Sequence, residues 1–129
     1  MKKRMLLYPV ALIAIAVVFQ SSILFEGARS VEEVDIPENV KSVLDNKCFG
    51  CHNTEAKSDK AKDKLLLDKL DDLSKAKMIS TLGNISEVAA EGSMPPEKFL
   101  EQKPEKKLTE EEQKLLVEWA DNTSEELLN

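Results

Sequence analysis

Both cysteines of the chain and its only histidine fall within five consecutive residues, Cys48-Phe49-Gly50-Cys51-His52. The pattern C-x-x-C-H is the attachment sequence of a c-type haem. In such a site the two thiols add to the haem vinyl groups as thioethers, and the adjacent imidazole binds the iron as the proximal ligand. One turn between Cys48 and Cys51 sets the sulfurs a vinyl-to-vinyl distance apart. Because the sequence holds no other cysteine or histidine, no zinc cage or disulfide framework competes with this interpretation.

Length and charge narrow the class of protein further. A chain of 129 residues is long enough for one domain with a modest core, which a buried porphyrin would enlarge. The formal net charge is −6 although Lys2, Lys3 and Arg4 stand at the N-terminus, so the rest of the chain is more acidic still. No basic patch remains to bind phosphates, and we therefore expect no nucleic-acid partner. An acidic domain favours a redox partner protein with a basic surface.

The N-terminal segment has the features of an export signal. The three cations precede an apolar run from Met5 to Phe25, which as a helix would span roughly 31 Å, about the thickness of a bilayer core. Cations before the run and acidic residues after it predict an N-in, C-out orientation. We favour an uncleaved anchor that holds the domain at the periplasmic face of a bacterial inner membrane. The alternative is cleavage after the small-x-small sequence Ala14-Ile15-Ala16, which would release a soluble periplasmic protein.

Beyond a polar linker at 26–35, the sequence predicts three amphipathic helices and no convincing strand. They span about 37–47, 74–91 and 110–122, and Gly92 ends the second of them. Thr109 with Glu112 three residues later forms a capping box that opens the third. We expect 124–129 to be a frayed tail. The apolar positions that define the helices are Val40, Val43 and Leu44, then Met78, Leu82, Ile85 and Ala89, then Leu115, Leu116 and Trp119.

With His52 on one side of the haem, the iron can take a sixth ligand on the opposite side. The candidates in this chain are Met94, Met78 and a lysine. Met94 precedes Pro95 and Pro96, which stiffen the loop and keep Met94 outside a helix, so a thioether there loses little entropy on binding. Methionine with histidine is the usual cytochrome c pair. The alternative is that Met94 packs as an ordinary apolar side chain. Met78 shares a helical face with Leu82 and is expected in the core.

The order of these features resembles class I-like monohaem cytochrome c, and it is most similar to the bacterial haem-binding domain family. Members of that family carry Ile-Pro-x-x-Val, C-x-x-C-H, Met-Pro-Pro, Leu-Thr-x-x-Glu and a terminal tryptophan in this order. The resemblance covers about residues 36–121. The matching positions here are Ile36-Pro37-Glu38-Asn39-Val40, Cys48 to His52, Met94-Pro95-Pro96, Leu108-Thr109 with Glu112, and Trp119.

The resemblance implies a small all-α, cytochrome c-like domain around one covalent haem c. Cys48 and Cys51 would carry the haem, His52 would be the proximal iron ligand, and Met94 the distal one. The chain would divide into an anchor or signal peptide at 1–25, a linker at 26–35, the haem-binding domain at 36–123 and a tail at 124–129. In class I cytochromes a proline carbonyl commonly accepts the Nδ1–H of the proximal histidine. This chain has no proline between Pro37 and Pro95, so another carbonyl must take that role.

Single-electron transfer is the function that this pattern favours. Iron with two protein ligands leaves no open site, and the runs of carboxylates are expected to be solvated helix faces, so we predict no enzymatic activity. One alternative is a haem-based sensor or ligand-binding protein with a displaceable sixth ligand. A remote alternative is a thiol oxidoreductase that uses Cys48 and Cys51 as a redox pair, but the chain lacks the βαβ pattern that would support it.

Overall fold

The computed structural model describes residues 34–129, and this part of the chain is mostly helical and has no strand. That finding confirms the all-α class for the described residues. The predicted anchor or signal peptide at 1–25 and the linker up to residue 33 lie outside them. Within residues 34–129, no helix has the length and apolar character needed to cross a membrane. The helices are α1 (Glu38–Lys47), α2 (Asp59–Lys62), α3 (Lys75–Glu91), α4 (Glu97–Leu100) and α5 (Glu110–Leu128), with 3₁₀ turns at Leu67–Asp72 and Pro104–Lys106.

Helix α3 begins and ends where the sequence predicted. Met78 and Leu82 on its apolar face are completely buried, which confirms the expectation that Met78 belongs to the core. The helix ends at Gly92, which has a φ of 63° in the left-handed region. The backbone N–H groups of Gly92 and Ser93 donate to the carbonyls of Ala89 and Val88, so the last turn is closed by main-chain hydrogen bonds.

Helix α5 starts at the predicted capping box and runs farther than predicted. The Thr109 side chain accepts from the Glu112 N–H at 3.2 Å, and the Glu112 carboxylate accepts from the Thr109 N–H at 2.9 Å. The predicted end at 122 and the frayed tail at 124–129 are wrong, because the helix continues to Leu128. The physical reason is that Leu127 is half-buried and packs against the core, so the last turns have a tertiary contact.

The core forms where α3 packs along α5, with α1 contacting α5 as well. The buried Trp119 of α5 donates its indole N–H to the Asp35 carbonyl at 3.3 Å, which ties the chain entry before α1 to the last helix. At the other end of α1, the Lys47 ammonium lies 3.5 Å from the Glu112 carboxylate in the first turn of α5. The most deeply buried apolar side chains are Val40, Leu44, Leu70, Met78, Leu82, Ala89, Leu116 and Ala120.

Candidate haem site

The C-x-x-C-H motif forms a tight turn at the end of α1. Cys48 is the C-cap residue, and the N–H groups of Cys48 and Phe49 both donate to the Leu44 carbonyl, at 2.9 and 2.8 Å. The N–H groups of Cys51 and His52 then donate to the Cys48 carbonyl, at 3.0 and 3.1 Å. The structure therefore holds Cys48, Cys51 and His52 together through the main chain.

The two thiols of the motif differ in their surroundings. Both cysteines are free, but Cys48 is half-buried and packs against the core, whereas Cys51 is exposed. Burial, reinforced by the nearby Cys51 and Glu112 groups, raises the pKa of the Cys48 thiol to about 11. Cys48 is thus neutral at physiological pH and oriented by packing, while Cys51 faces solvent.

The imidazole of His52 is oriented by main-chain carbonyls. Its Nδ1 lies 3.0 Å from the Ala61 carbonyl oxygen and 3.3 Å from that of Leu65. Both partners can only accept, so Nδ1 is the donor, and in the neutral tautomer Nε2 then has the lone pair. A histidine that binds a metal through one nitrogen normally donates from the other, which fixes its tautomer and ring orientation. In class I cytochromes a proline carbonyl commonly accepts this hydrogen bond. Here the nearest acceptor is the carbonyl of Ala61, and that of Leu65 is the second.

The Ala61 carbonyl is positioned by the short helix α2. The segment from 56 to 64 has the composition of a solvated loop or a frayed helix start, and in the structure it contains a four-residue helix. The Ser58 hydroxyl caps this helix by accepting from the Ala61 N–H at 3.3 Å, and Lys62 pairs with Asp59 at 2.9 Å. The only signal of this arrangement in the sequence is a serine placed just before an aspartate.

The backbone of His52 is held from the same side as its ring. Its carbonyl accepts from the Leu67 N–H at 2.9 Å. Two residues on, the Thr54 hydroxyl donates to the Asp68 carboxylate at 2.6 Å, and the Thr54 N–H donates to that carboxylate as well, at 3.1 and 3.2 Å to its two oxygens. These hydrogen bonds hold the pKa of Asp68 below its usual value. Sequence reasoning missed Thr54 and Asp68, since their pairing spans 14 residues.

Met94 lies in the loop after α3, where it is half-buried and followed by the buried Pro95. Neither of two open grooves in the described residues has Met94 or His52 in its lining. A groove of about 530 Å³ lies beside the Met94 loop, and an apolar groove of about 420 Å³ lies beside Phe49 of the motif turn. The first is lined by Gly92, Ser93, Pro95, Glu97, Leu100, Glu101, Pro104 and Lys107, and the second by Ile36, Lys41, Leu44, Asp45, Phe49, Leu67 and Leu70. The role of Met94 as distal ligand stays a prediction.

The donor set of the motif fits a covalent haem better than an isolated metal ion. In residues 34–129 no three or more His, Cys, Asp or Glu side chains cluster as a metal site would require. The motif instead combines two free thiols on one turn with an imidazole whose Nε2 lone pair is available. This set would hold the porphyrin edge through sulfur and the iron through nitrogen.

Comparison with known proteins supports haem binding by this chain. The sequence model of a family described as the haem-binding domain matches residues 56–122, more than half of the chain. The match begins four residues after His52, and it includes Ala61, Leu65, Met94 and Trp119. No curated protein and no solved structure matches the chain. The resemblance seen in the sequence is therefore confirmed, and the chain belongs to the haem-binding domain family.

Proposed function

We propose that this chain binds one covalent c-type haem and transfers single electrons on the periplasmic side of a bacterial inner membrane. Cys48 and Cys51 form the two thioethers, and His52 is the proximal iron ligand. Met94 is the distal ligand. The bound haem supplies a one-electron redox centre. Haem binding itself follows from the family, and the remaining statements are the proposal.

The hydrogen bond from His52 Nδ1–H to the Ala61 carbonyl is the observation that carries the proposal. It leaves Nε2 as the only ring nitrogen able to bind iron, and it holds the ring in one orientation while the neighbouring turn holds both thiols. A carbonyl partner also makes the imidazole a stronger donor to iron. A thiol oxidoreductase would gain nothing from an imidazole fixed in this tautomer beside Cys51.

Methionine at the distal position is supported by the loop that carries Met94. The side chain lies outside helix α3, and Pro95 and Pro96 restrict the backbone that follows. A thioether opposite histidine raises the reduction potential of a haem. We propose no catalytic activity, because iron with two protein ligands has no free position. Exposure of Asp71, Asp72, Glu110 and Glu111 supports their role as solvated surface groups.

The proposed cellular location of the protein is based on the N-terminal sequence. The apolar run from Met5 to Phe25 would anchor the domain in the membrane, with cleavage to a soluble periplasmic form as the alternative. The acidic character of the chain would favour an electron-transfer partner with a basic surface. Localisation and partner charge are tested apart from haem attachment, by whether the protein sediments with membranes and by the salt dependence of partner reduction.

The decisive experiment asks whether haem stays on the polypeptide after denaturation. The full chain is expressed with the c-type maturation machinery, denatured, and examined for haem that migrates with the protein. We expect retention in the wild type and loss in the double variant C48A/C51A. Release of all haem from the denatured wild type would refute covalent attachment.

The ligand assignment is tested by spectroscopy of the same material. The ferric wild type should be low-spin and show Met–iron charge transfer, and M94A should lose that absorption while M78L keeps it. A high-spin wild-type spectrum that M94A leaves unchanged would refute Met94 as ligand. Binding of carbon monoxide to the reduced wild type at neutral pH would favour the sensor or ligand-binding alternative.

A further inference from the structure

Lys47, the last residue of α1, stands directly before the first haem cysteine and is nearly buried, with 12% of its side chain exposed. Its Nζ donates to the carbonyls of Glu105 at 2.9 Å and Lys107 at 3.1 Å, and it lies 3.5 Å from a carboxylate oxygen of Glu112. An ammonium group has three N–H donors, and here three oxygens surround it. The two carbonyl acceptors come from residues 58 and 60 positions later in the chain.

A second lysine makes the reciprocal contact. Lys106 Nζ donates to the Asn46 carbonyl at 2.8 Å, one of the carbonyls that the end of α1 leaves without a helical partner. Lys47 and Lys106 therefore cross between the end of α1 and the 3₁₀ turn Pro104–Lys106, and we refer to them as the lysine clamp. The Glu112 carboxylate near Lys47 is itself held in place, because it also accepts from the Thr109 N–H in the capping box.

The lysine clamp joins the end of α1, next to the haem motif, to the 3₁₀ turn Pro104–Lys106, which contacts α4 just after the Met94 loop. On one side Lys47 is followed at once by Cys48 and the turn that holds His52. On the other side, Pro104 and Lys107 line the same groove as Pro95, the neighbour of Met94. The surface pair Lys114–Glu118 differs sharply, since it lies within a single helix, is 3.7 Å long and leaves both side chains well exposed.

We propose that Lys47 is a positioning residue that holds the C-x-x-C-H turn against the loop bearing Met94, and so fixes the separation between the proximal and distal sides of the haem. This inference rests on the proposed function for its chemical meaning. Charge alone is insufficient for the role. The oxygens around Nζ suit the compact three-donor ammonium, whereas the planar guanidinium of arginine directs its donors in a fork.

The test compares haem-loaded wild type, K47M, K47R and the control K114M. The readout is the rate at which cyanide binds the ferric haem, together with Met–iron charge-transfer absorption and reduction potential. K47M should bind cyanide at least about tenfold faster than wild type, the change that loss of one hydrogen bond to a charged group produces. Its Met–iron absorption should fall, K47R should lie in between, and K114M should match wild type. M94A sets the upper limit of the rate.

Two outcomes would overturn the inference. In the first, K47M has a lower denaturation midpoint than wild type, but the same rate of cyanide binding and the same reduction potential. Lys47 would then act on fold stability alone. If K47M fails to load haem, K106M should show the same direction of change, and a wild-type rate in K106M would count against the clamp.

Failure of the proposed function is recognised separately. Haem lost on denaturation, or a wild type that already binds cyanide at the M94A rate, would refute the attachment or the ligand set and not the clamp. Amide hydrogen exchange then decides about Lys47. K47M should exchange faster at 95–107 while 75–91 stays unchanged, and equal exchange at 95–107 would overturn the inference.

Discussion

Substitution by alanine should change the free energy of unfolding in opposite directions at Gly83, inside α3, and at Gly92, where α3 ends. Gly92 ends α3 with a φ of 63°, where an L side chain costs about 1–2 kcal/mol. An added Cβ would lie 3.0 Å from Nε2 of Gln113, the far end of a flexible side chain that can move at little cost. Alanine also lowers the entropy of the unfolded chain, which returns about 0.4–1 kcal/mol. We therefore expect G92A to lower the free energy of unfolding by about 1 kcal/mol.

Gly83 lies inside α3, and a Cβ there would meet nothing within 4 Å. Alanine is favoured over glycine in a helix interior, so G83A should raise the free energy of unfolding by about 0.5–1 kcal/mol. Urea unfolding of the haem-loaded variants, followed by far-ultraviolet circular dichroism, measures both changes. The two midpoints should differ by roughly 1 M for a typical urea dependence. Shifts of the same sign in both variants would refute the assignment of Gly92 as a left-handed cap.

Three further changes test other parts of the fold by the same unfolding assay. L127A should lower the free energy of unfolding by about 1–2 kcal/mol, because the Leu127 side chain packs on the core. Leu128 is 69% exposed, so L128A should stay within about 0.5 kcal/mol of wild type. Equal effects of the two variants would contradict the helical C-terminus. T109A should lose about 1 kcal/mol with the capping box, and no change would argue against it. Thr54 holds the pKa of Asp68 below its ordinary 3.8, so the stability it contributes is complete at neutral pH and lost as the pH falls through the folded-state value. T54V should therefore be destabilised at about pH 7 and approach wild type only as the pH falls below the folded-state pKa of Asp68, and a gap that does not change with pH would contradict this.

The predictable parts of the fold rest on local rules. The apolar period of α3, its glycine stop and the Thr109 capping box all act within one or two turns, and the structure has each of them where the pattern indicated. The predicted end of α5 was wrong because the sequence after Ala120 is polar until Leu127. Leu127 packs against the core and so gives those turns a tertiary contact that the local pattern does not show.

The candidate site also has a part that local sequence predicts and a part that depends on the fold. The thiols and the imidazole are adjacent in sequence, so their type and spacing predict their chemistry without a fold. The carbonyl of Ala61 has no side-chain signature, because any residue at that position has the same acceptor. Lys47 follows Val40 by seven residues and so lies on the apolar face of α1, but its carbonyl partners are 58 and 60 residues away, beyond the reach of any local pattern.

Main-chain control of His52 has a consequence for how this protein can vary. The acceptor on Ala61 belongs to the backbone of α2, so exposed side chains there that neither cap nor pair within the helix are not required to keep the imidazole oriented. Lys57, Lys60 and Lys64 are exposed there. Substitution of these lysines would change the surface charge and leave the hydrogen bond to the His52 ring in place. In this segment the surface charge and the orientation of the His52 ring are therefore independent of each other.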